Sequence, residues 1–258
     1  MGTIWLDYKK VDLGRGGYRN ALEIDEFKRF NTNLLNLGEV SNDAETINAI
    51  AAVYDLEGFT DFCNQLDPQL VVPEYLDAFV GWLFDSVVDE FKKEQVGDDV
   101  HLWGSLPFFA KFLGDGVMFL WDSNMIGGQP GVGNVVISLS RICRRYLTEF
   151  EPKIQESMTK VPRRLRVGIA RGQVLSIGDG QDYVGPCINM ASRLQKLGSL
   201  TFAVSRRGID PRKCFSQGVA ETLVQKRTRI RGIGESEVVL IFKDEFEMLD
   251  PNERARFV

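Results

Sequence analysis

Two aspartates stand where a carboxylate can do metal chemistry. Asp55 lies in Tyr54-Asp55-Leu56-Glu57-Gly58-Phe59-Thr60 and follows Ile47 to Val53, a largely apolar run that reads as a buried strand. Asp115 lies in Lys111-Phe112-Leu113-Gly114-Asp115-Gly116, in a Gly-Asp-Gly turn between the apolar runs 108–113 and 117–121, which are spaced like the arms of a hairpin. If these strands are neighbours in one sheet, both carboxylates meet at one edge. Hard oxygen ligands on a rigid frame suit Mg²⁺ or Mn²⁺, which keep waters and take further ligands from substrate phosphates. Taken alone, a Gly-Asp-Gly is most often a plain turn.

The elements that would position these aspartates follow in order. Pro73 to Lys93 has helical apolar spacing, and its aromatics Phe79, Trp82 and Phe84 read as core. The Gly-rich stretch 127–133 lacks the Gly-Lys-Ser/Thr of a phosphate loop and reads as a plain loop before a helix from Asn134 to Phe150, which Pro152 would end. Arg144, Arg145, Arg163, Arg164 and Arg166 read as solvated faces and helix-end charges. The runs 165–170 and 173–177 read as a strand pair or one bent strand, and a turn at 178–180 follows. Ile188, Ala191, Leu194 and Leu197 then recur at helical spacing up to Gly198, so Asn189 and Arg193, four apart, share a different side of that helix. Further strands are expected within 200–205 and 228–243. The order predicts an α+β fold, a sheet with helices on one face.

Length and composition bound the possibilities. With 258 residues, 44% hydrophobic, the chain can bury one full core. We read an N-terminal extension over 1–44, a catalytic domain over 45–245 and a C-terminal tail over 246–258. A net charge of −5 argues against nucleic acid or a membrane surface as a general partner. Cys63, Cys143, Cys187 and Cys214 have no zinc spacing and read as reduced thiols. The lone histidine, His101, reads as a surface residue. Met1 to Lys10 lacks the features of a signal peptide and no run of about 18 apolar residues occurs, which predicts a soluble cytoplasmic protein.

Five short elements occur in one order: Asp55 to Thr60, Lys111 to Asp115, Arg166-Val167-Gly168-Ile169 with Gly172, Asn189-Met190-Ala191-Ser192-Arg193, and Arg231-Gly232-Ile233-Gly234. Together they resemble the class III nucleotidyl cyclases, the adenylate and guanylate cyclase catalytic domains, over roughly 47–242. The resemblance implies a ferredoxin-like βααββαβ core with an antiparallel sheet, and a homodimer with composite active sites. It implies two divalent cations, Mn²⁺ or Mg²⁺, on Asp55, Asp115 and the Leu56 carbonyl. Asn189 would position the ribose and Arg193 the α-phosphate, both from the other subunit. Arg231, with Gly58, Phe59 and Thr60, would serve the phosphates, and Lys111 and Asp182 the base, with Tyr54 a further candidate beside it.

The polar code leaves the base open. Lys111 donates and Asp182 accepts, the family's usual adenine-reading pair, yet cytosine shows the same pattern as adenine, and uracil's O4 and N3–H also suit one donor and one acceptor. Two departures bear on this. Only Gly178-Asp179-Gly180-Gln181 precedes Asp182, where purine cyclases carry a longer arm, and Pro186 stiffens Val184-Gly185-Pro186-Cys187. The run Val53 to Cys63, and Lys111 to Gly116 with Phe119-Leu120-Trp121, resemble the stand-alone bacterial cyclases of Pycsar antiphage defence, which make cyclic UMP or cyclic CMP. That likeness implies UTP first and CTP second as substrate, and a downstream cyclic-nucleotide effector. An adenylate cyclase is the nearest rival, and a catalytically dead nucleotide-binding module the rival of another class.

Overall fold

The computed structural model describes residues 4–14 and 17–258. Met1 to Thr3, Arg15 and Gly16, all read as part of the N-terminal extension, lie outside the described residues. In chain order the elements are β1 (Lys9–Gly14), β2 (Gly17–Ala21), α1 (Ile24–Lys28), β3 (Thr46–Glu57), α2 (Phe59–Cys63), α3 (Pro68–Phe91), β4 (Lys92–Val96) and β5 (Asp99–Leu102). There follow β6 (Phe109–Phe112), β7 (Val117–Asp122), α4 (Gly128–Arg145), a π-helical turn (Tyr146–Phe150), α5 (Glu151–Ile154), β8 (Arg164–Ile177), β9 (Asp182–Val184) and α6 (Pro186–Leu194). The chain closes with β10 (Phe202–Ser205), α7 (Pro211–Cys214), α8 (Gln217–Glu221), β11 (Leu223–Ile230), β12 (Gly234–Phe242), α9 (Lys243–Met248) and α10 (Pro251–Arg254). Among the described residues no helix is long and apolar enough to cross a membrane.

The chain divides into two units. The larger, Ile47–Val174 with Gly185–Val258, carries strands in the order β11-β12-β10-β8-β3-β7-β6. The run β3-α2-α3-β6-β7-α4-β8 is the expected βααββαβ core. β3 pairs antiparallel with β7, and β7 with β6. β10 departs from the antiparallel expectation by joining β8 in parallel, with α6 as its crossover.

β3 is central, and Ala49 to Leu56 are buried without a break, as expected of a strand covered on both faces. Ile50, Ala52, Tyr54 and Leu56 pack with Phe119, Trp121, Val167 and Ile169 under α3 and α4. The expectation of helices on one face holds for these two long helices. It fails for α6, which covers the opposite face: a Cβ on Gly168 would stand 2.1 Å from the Ala191 carbonyl oxygen. Gly168 alternates with Val167 and Ile169, so α6 lies on the side where Ala51, Val53 and Asp55 point.

Several boundaries differ from the sequence reading. α3 begins at Pro68, so Pro73 lies inside the helix. Phe79 is buried and Trp82 packs on the core, but Phe84 is 42% exposed and edges Phe119. The Gly-rich stretch is helix rather than loop, because its glycines serve contact. A Cβ on Gly131 would fall 1.5 Å from the Ile126 carbonyl oxygen, and one on Gly133 1.7 Å from that of Cys214. Pro152 starts α5 instead of ending a helix. The expected tail 246–258 is part of the fold: Arg227 and Val258 exchange backbone hydrogen bonds, and Leu249 and Phe257 are buried.

The smaller unit joins the described residues up to Thr46 with Leu175–Val184. β1 and β2 form an antiparallel hairpin. The end of β8 turns back as β9, with Ile177 opposite Asp182. The segment 37–45 packs on that corner. Asn42 donates to the Asp179 carboxylate at 2.7 Å, Ser176 N–H to the Glu45 carbonyl at 2.9 Å, and Glu45 N–H to the Ser176 hydroxyl at 2.8 Å. Gly178, at φ +57°, lies so near the Leu37 carbonyl that a Cβ would fall 1.3 Å from its oxygen.

Candidate active site

Asp55 lies two residues before the end of β3, and only 3% of it is exposed. Asp115 occupies the β6–β7 turn, where Gly114 takes φ +95°. The turn is docked on β3. Leu56 N–H donates to the Asp115 carbonyl at 2.8 Å, and Leu113 N–H closes the turn on the Gly116 carbonyl at 2.9 Å. Gly116 must be glycine for that approach, since a Cβ would stand 1.9 Å from the Tyr54 carbonyl oxygen. The two carboxylates thus open into one cavity of about 260 Å³ lined by Asp55, Leu56, Gly58, Phe59, Thr60, Asp61, Asp115, Arg166 and Lys196. Gly58, in the left-handed region at φ +84°, starts α2 and swings Phe59 and Thr60 to the rim.

Cations surround the buried carboxylate. Arg166 donates to Asp55 Oδ2 from the neighbouring strand β8, and its side chain is 14% exposed. Its Nε is buried without a hydrogen-bond partner. Glu57 lies 3.8 Å from Arg166 and accepts from Arg164, whose hydrogen bond holds the Glu57 carboxyl below the usual carboxylate range. Lys196, just past the end of α6, brings its Nζ to 3.6 Å from Asp55 Oδ1 and 4.0 Å from Asp115 Oδ2.

This donor set fits a hard divalent cation. The lining side chains able to ligate one are carboxylates and the Thr60 hydroxyl, all oxygen, and an ammonium already stands by both carboxylates where positive charge is favoured. Among the described residues no cluster of three or more His, Cys, Asp or Glu could enclose a metal. Further ligands would come from the Leu56 carbonyl, water and phosphate.

The expected site residues are brought together in part. Asp55, Leu56, Asp115, Gly58, Phe59 and Thr60 share the cavity. Asn189 and Arg193 are exposed on α6 and do not line it, and Arg231, exposed in the β11–β12 turn, does not either. Lys111 stands in β6 opposite Met118, beside an apolar groove of about 480 Å³ lined by Leu76, Val80, Phe84 and Phe112. Asp182 belongs to the smaller unit, where its carboxylate accepts from Tyr183 N–H at 2.9 Å.

Tyr54 is a correction. Its ring is 1% exposed and edges Phe119, and its hydroxyl donates to the Leu139 carbonyl at 2.9 Å, so it is core and reads no base. Burial pushes its pKa far up. Arg164 and Arg166 are corrections too, since both are partly buried partners of carboxylates and not solvated faces. A signal for Arg166 was present: a charge at alternate register with Gly168 on a core strand needs a partner. Lys196 was overlooked, although its spacing of seven from Asn189 puts it on the same helical side. His101 is exposed in β5, as expected.

No family model matches this sequence, and no curated protein matches it. Solved structures do. The guanylyl cyclase Cya2 aligns over 78% of this chain and 94% of its own at 17% identity, with a TM-score of 0.57. The adenylyl cyclase CyaB from P. aeruginosa aligns over 78% and 96% at 14% identity, with a TM-score of 0.55. A bacterial light-regulated adenylyl cyclase aligns over 84% of this chain and 56% of its own at 13% identity, with a TM-score of 0.53. The fold of this chain is therefore that of the class III nucleotidyl cyclase catalytic domain.

Proposed function

We propose that the protein is a nucleotidyl cyclase that converts a nucleoside triphosphate to a 3′,5′-cyclic nucleotide and pyrophosphate. The observation that carries this reading is the carboxylate pair: Asp55 and Asp115 held at one cavity by the Leu56–Asp115 backbone bond, on this fold. In the reaction the 3′-oxygen attacks its own α-phosphorus, the bond to the β-phosphate oxygen breaks, and the hydroxyl proton leaves to Asp55 or water. Divalent cations held by Asp55, Asp115 and the Leu56 carbonyl would acidify the hydroxyl and neutralise the triphosphate.

The chain's own residues supply the rest. Gly58, Phe59 and Thr60 line the cavity where the phosphates would lie. Asn189 and Arg193, exposed and four apart on α6, would enter the site of a second copy, Asn189 holding the ribose and Arg193 the α-phosphate oxygens. A guanidinium aimed at those oxygens is worth about 10²–10³ in rate. Arg231 would steady the leaving pyrophosphate. The active form is then a homodimer with two composite sites.

For the base we propose a pyrimidine, UTP before CTP, read by Lys111 and Asp182, with the product serving as an antiphage second messenger for a separate effector. The compact turn before Asp182 and the likeness of the Asp55 and Asp115 segments to the Pycsar cyclases support this. Adenylate cyclisation is the second reading, favoured by a donor at Lys111 and an acceptor at Asp182. The test is incubation of the full chain with each of the four nucleoside triphosphates and Mn²⁺, with products separated by chromatography. Cyclic UMP or cyclic CMP is expected. Cyclic AMP as sole product overturns the pyrimidine assignment, and no cyclic product from any substrate overturns the cyclase.

A further inference from the structure

Two cations touch the buried Asp55, and they differ in kind. Arg166 is 14% exposed and hydrogen-bonded to Oδ2 within the sheet, whereas the Lys196 side chain is 59% exposed and stands off Oδ1 at 3.6 Å. Lys196 also lies 4.0 Å from Asp115 Oδ2, so one flexible ammonium faces both carboxylates from outside. At those distances it makes an ion pair but no hydrogen bond to either. The lysine end of these contacts is solvent-exposed and makes no hydrogen bond, so they are weak and easily exchanged. Two carboxylates at one cavity repel, and a charge placed between them relieves the repulsion until a stronger cation arrives.

We propose that Lys196 is a tethered counter-ion: it neutralises the Asp55–Asp115 pair in the free protein and is displaced when a divalent ion binds there. The proposal rests on the metal reading of that pair. It makes Lys196 a residue that sets the metal affinity of the site, through its charge and its reach.

The test is titration of full-length protein with Mn²⁺ alone, without nucleotide, reading free Mn²⁺ by electron paramagnetic resonance, for the native chain, Lys196→Gln and Lys196→Arg. Lys196→Gln is expected to bind Mn²⁺ about two- to fivefold more tightly at low salt, with the gap closing as ionic strength rises. Lys196→Arg keeps the charge and is expected to stay near the native affinity. Equal or weaker binding by Lys196→Gln, with a native melting curve, overturns the inference, as does Lys196→Arg binding as tightly as Lys196→Gln. If neither the native chain nor Lys196→Gln binds Mn²⁺, the metal reading itself fails and the inference with it.

Discussion

Leu56 N–H donates to the Asp115 carbonyl at 2.8 Å, and that bond makes neighbours of two carboxylates far apart in the chain. It seats the β6–β7 turn against the end of β3, beside a buried Asp55 and a half-exposed Asp115. Backbone sets the spacing of the pair, while the carboxylates themselves face Arg166 and Lys196.

Gly116→Ala tests that docking. The new methyl would stand 1.9 Å from the Tyr54 carbonyl oxygen, so the turn must move off β3. Displacement of about 1 Å is expected to lower cyclase turnover by about 10²-fold. The same substitution should cost about 1–3 kcal/mol of stability through overpacking, measured by urea unfolding.

Asp55→Asn and Asp115→Asn should part company in stability, though on the proposed metal reading both are expected to abolish turnover. Asp55→Asn removes the carboxylate that Arg166 hydrogen-bonds and leaves the guanidinium with Glu57 at 3.8 Å, and breaking such a buried pair is expected to cost about 3 kcal/mol. The Asp115 side chain is 43% exposed, and its substitution should change stability by no more than about 0.5 kcal/mol. Thermal melts beside activity assays separate the two.

Gly168→Ala should act on α6 at a distance from any substrate. Its methyl would meet the Ala191 carbonyl oxygen at 2.1 Å, lifting the helix that presents Asn189 and Arg193. Turnover is expected to fall by about 10²-fold, while Mn²⁺ binding at Asp55 and Asp115 persists. Lost Mn²⁺ binding would show that the helix is not the part displaced.

The Glu57–Arg164 pair predicts a pH dependence. Arg164 holds the Glu57 carboxyl below its ordinary range, so the unfolded chain binds this proton more readily than the folded one. The stabilisation is therefore complete above the ordinary glutamate pKa of about 4.3 and is lost as pH falls through the lower folded value. The melting temperature of the native chain should exceed that of Glu57→Gln near pH 7, and the difference should shrink below about pH 4.

Asn42→Ala removes the side-chain bond to Asp179 in the turn preceding Asp182. Amides of 178–184 are expected to exchange hydrogen a few-fold faster, consistent with one lost hydrogen bond. Unchanged exchange would show that Gly178 against Leu37 and the Glu45–Ser176 bonds hold the corner without Asn42.

Much of the frame was legible from local pattern. The apolar run before Asp55, the paired runs around Asp115 and the spacing of Ile188, Ala191 and Leu194 each specify an element by its own periodicity. The exposed β4–β5 hairpin was not, because Lys92–Val96 carries a single apolar residue and both Lys92–Val96 and Asp99–Leu102 are exposed throughout. The Gly-rich stretch misled for a different reason. Gly131 and Gly133 look like loop residues until the carbonyls they pack against are known.

By itself, then, the sequence determined the strand that ends at Asp55, the pair of strands flanking Asp115, the helix of Asn189 and Arg193, and their order along the chain, since each depends on neighbours within a few positions. Tertiary structure alone decided that Arg166 pairs with Asp55, that Lys196 reaches both carboxylates, that Tyr54 is core, and that 37–45 packs on the corner before Asp182. Those contacts depend on strand order and on which face of the sheet a helix covers. Spacing along the chain does not encode either, because the same periodicity is compatible with every pairing until the core closes.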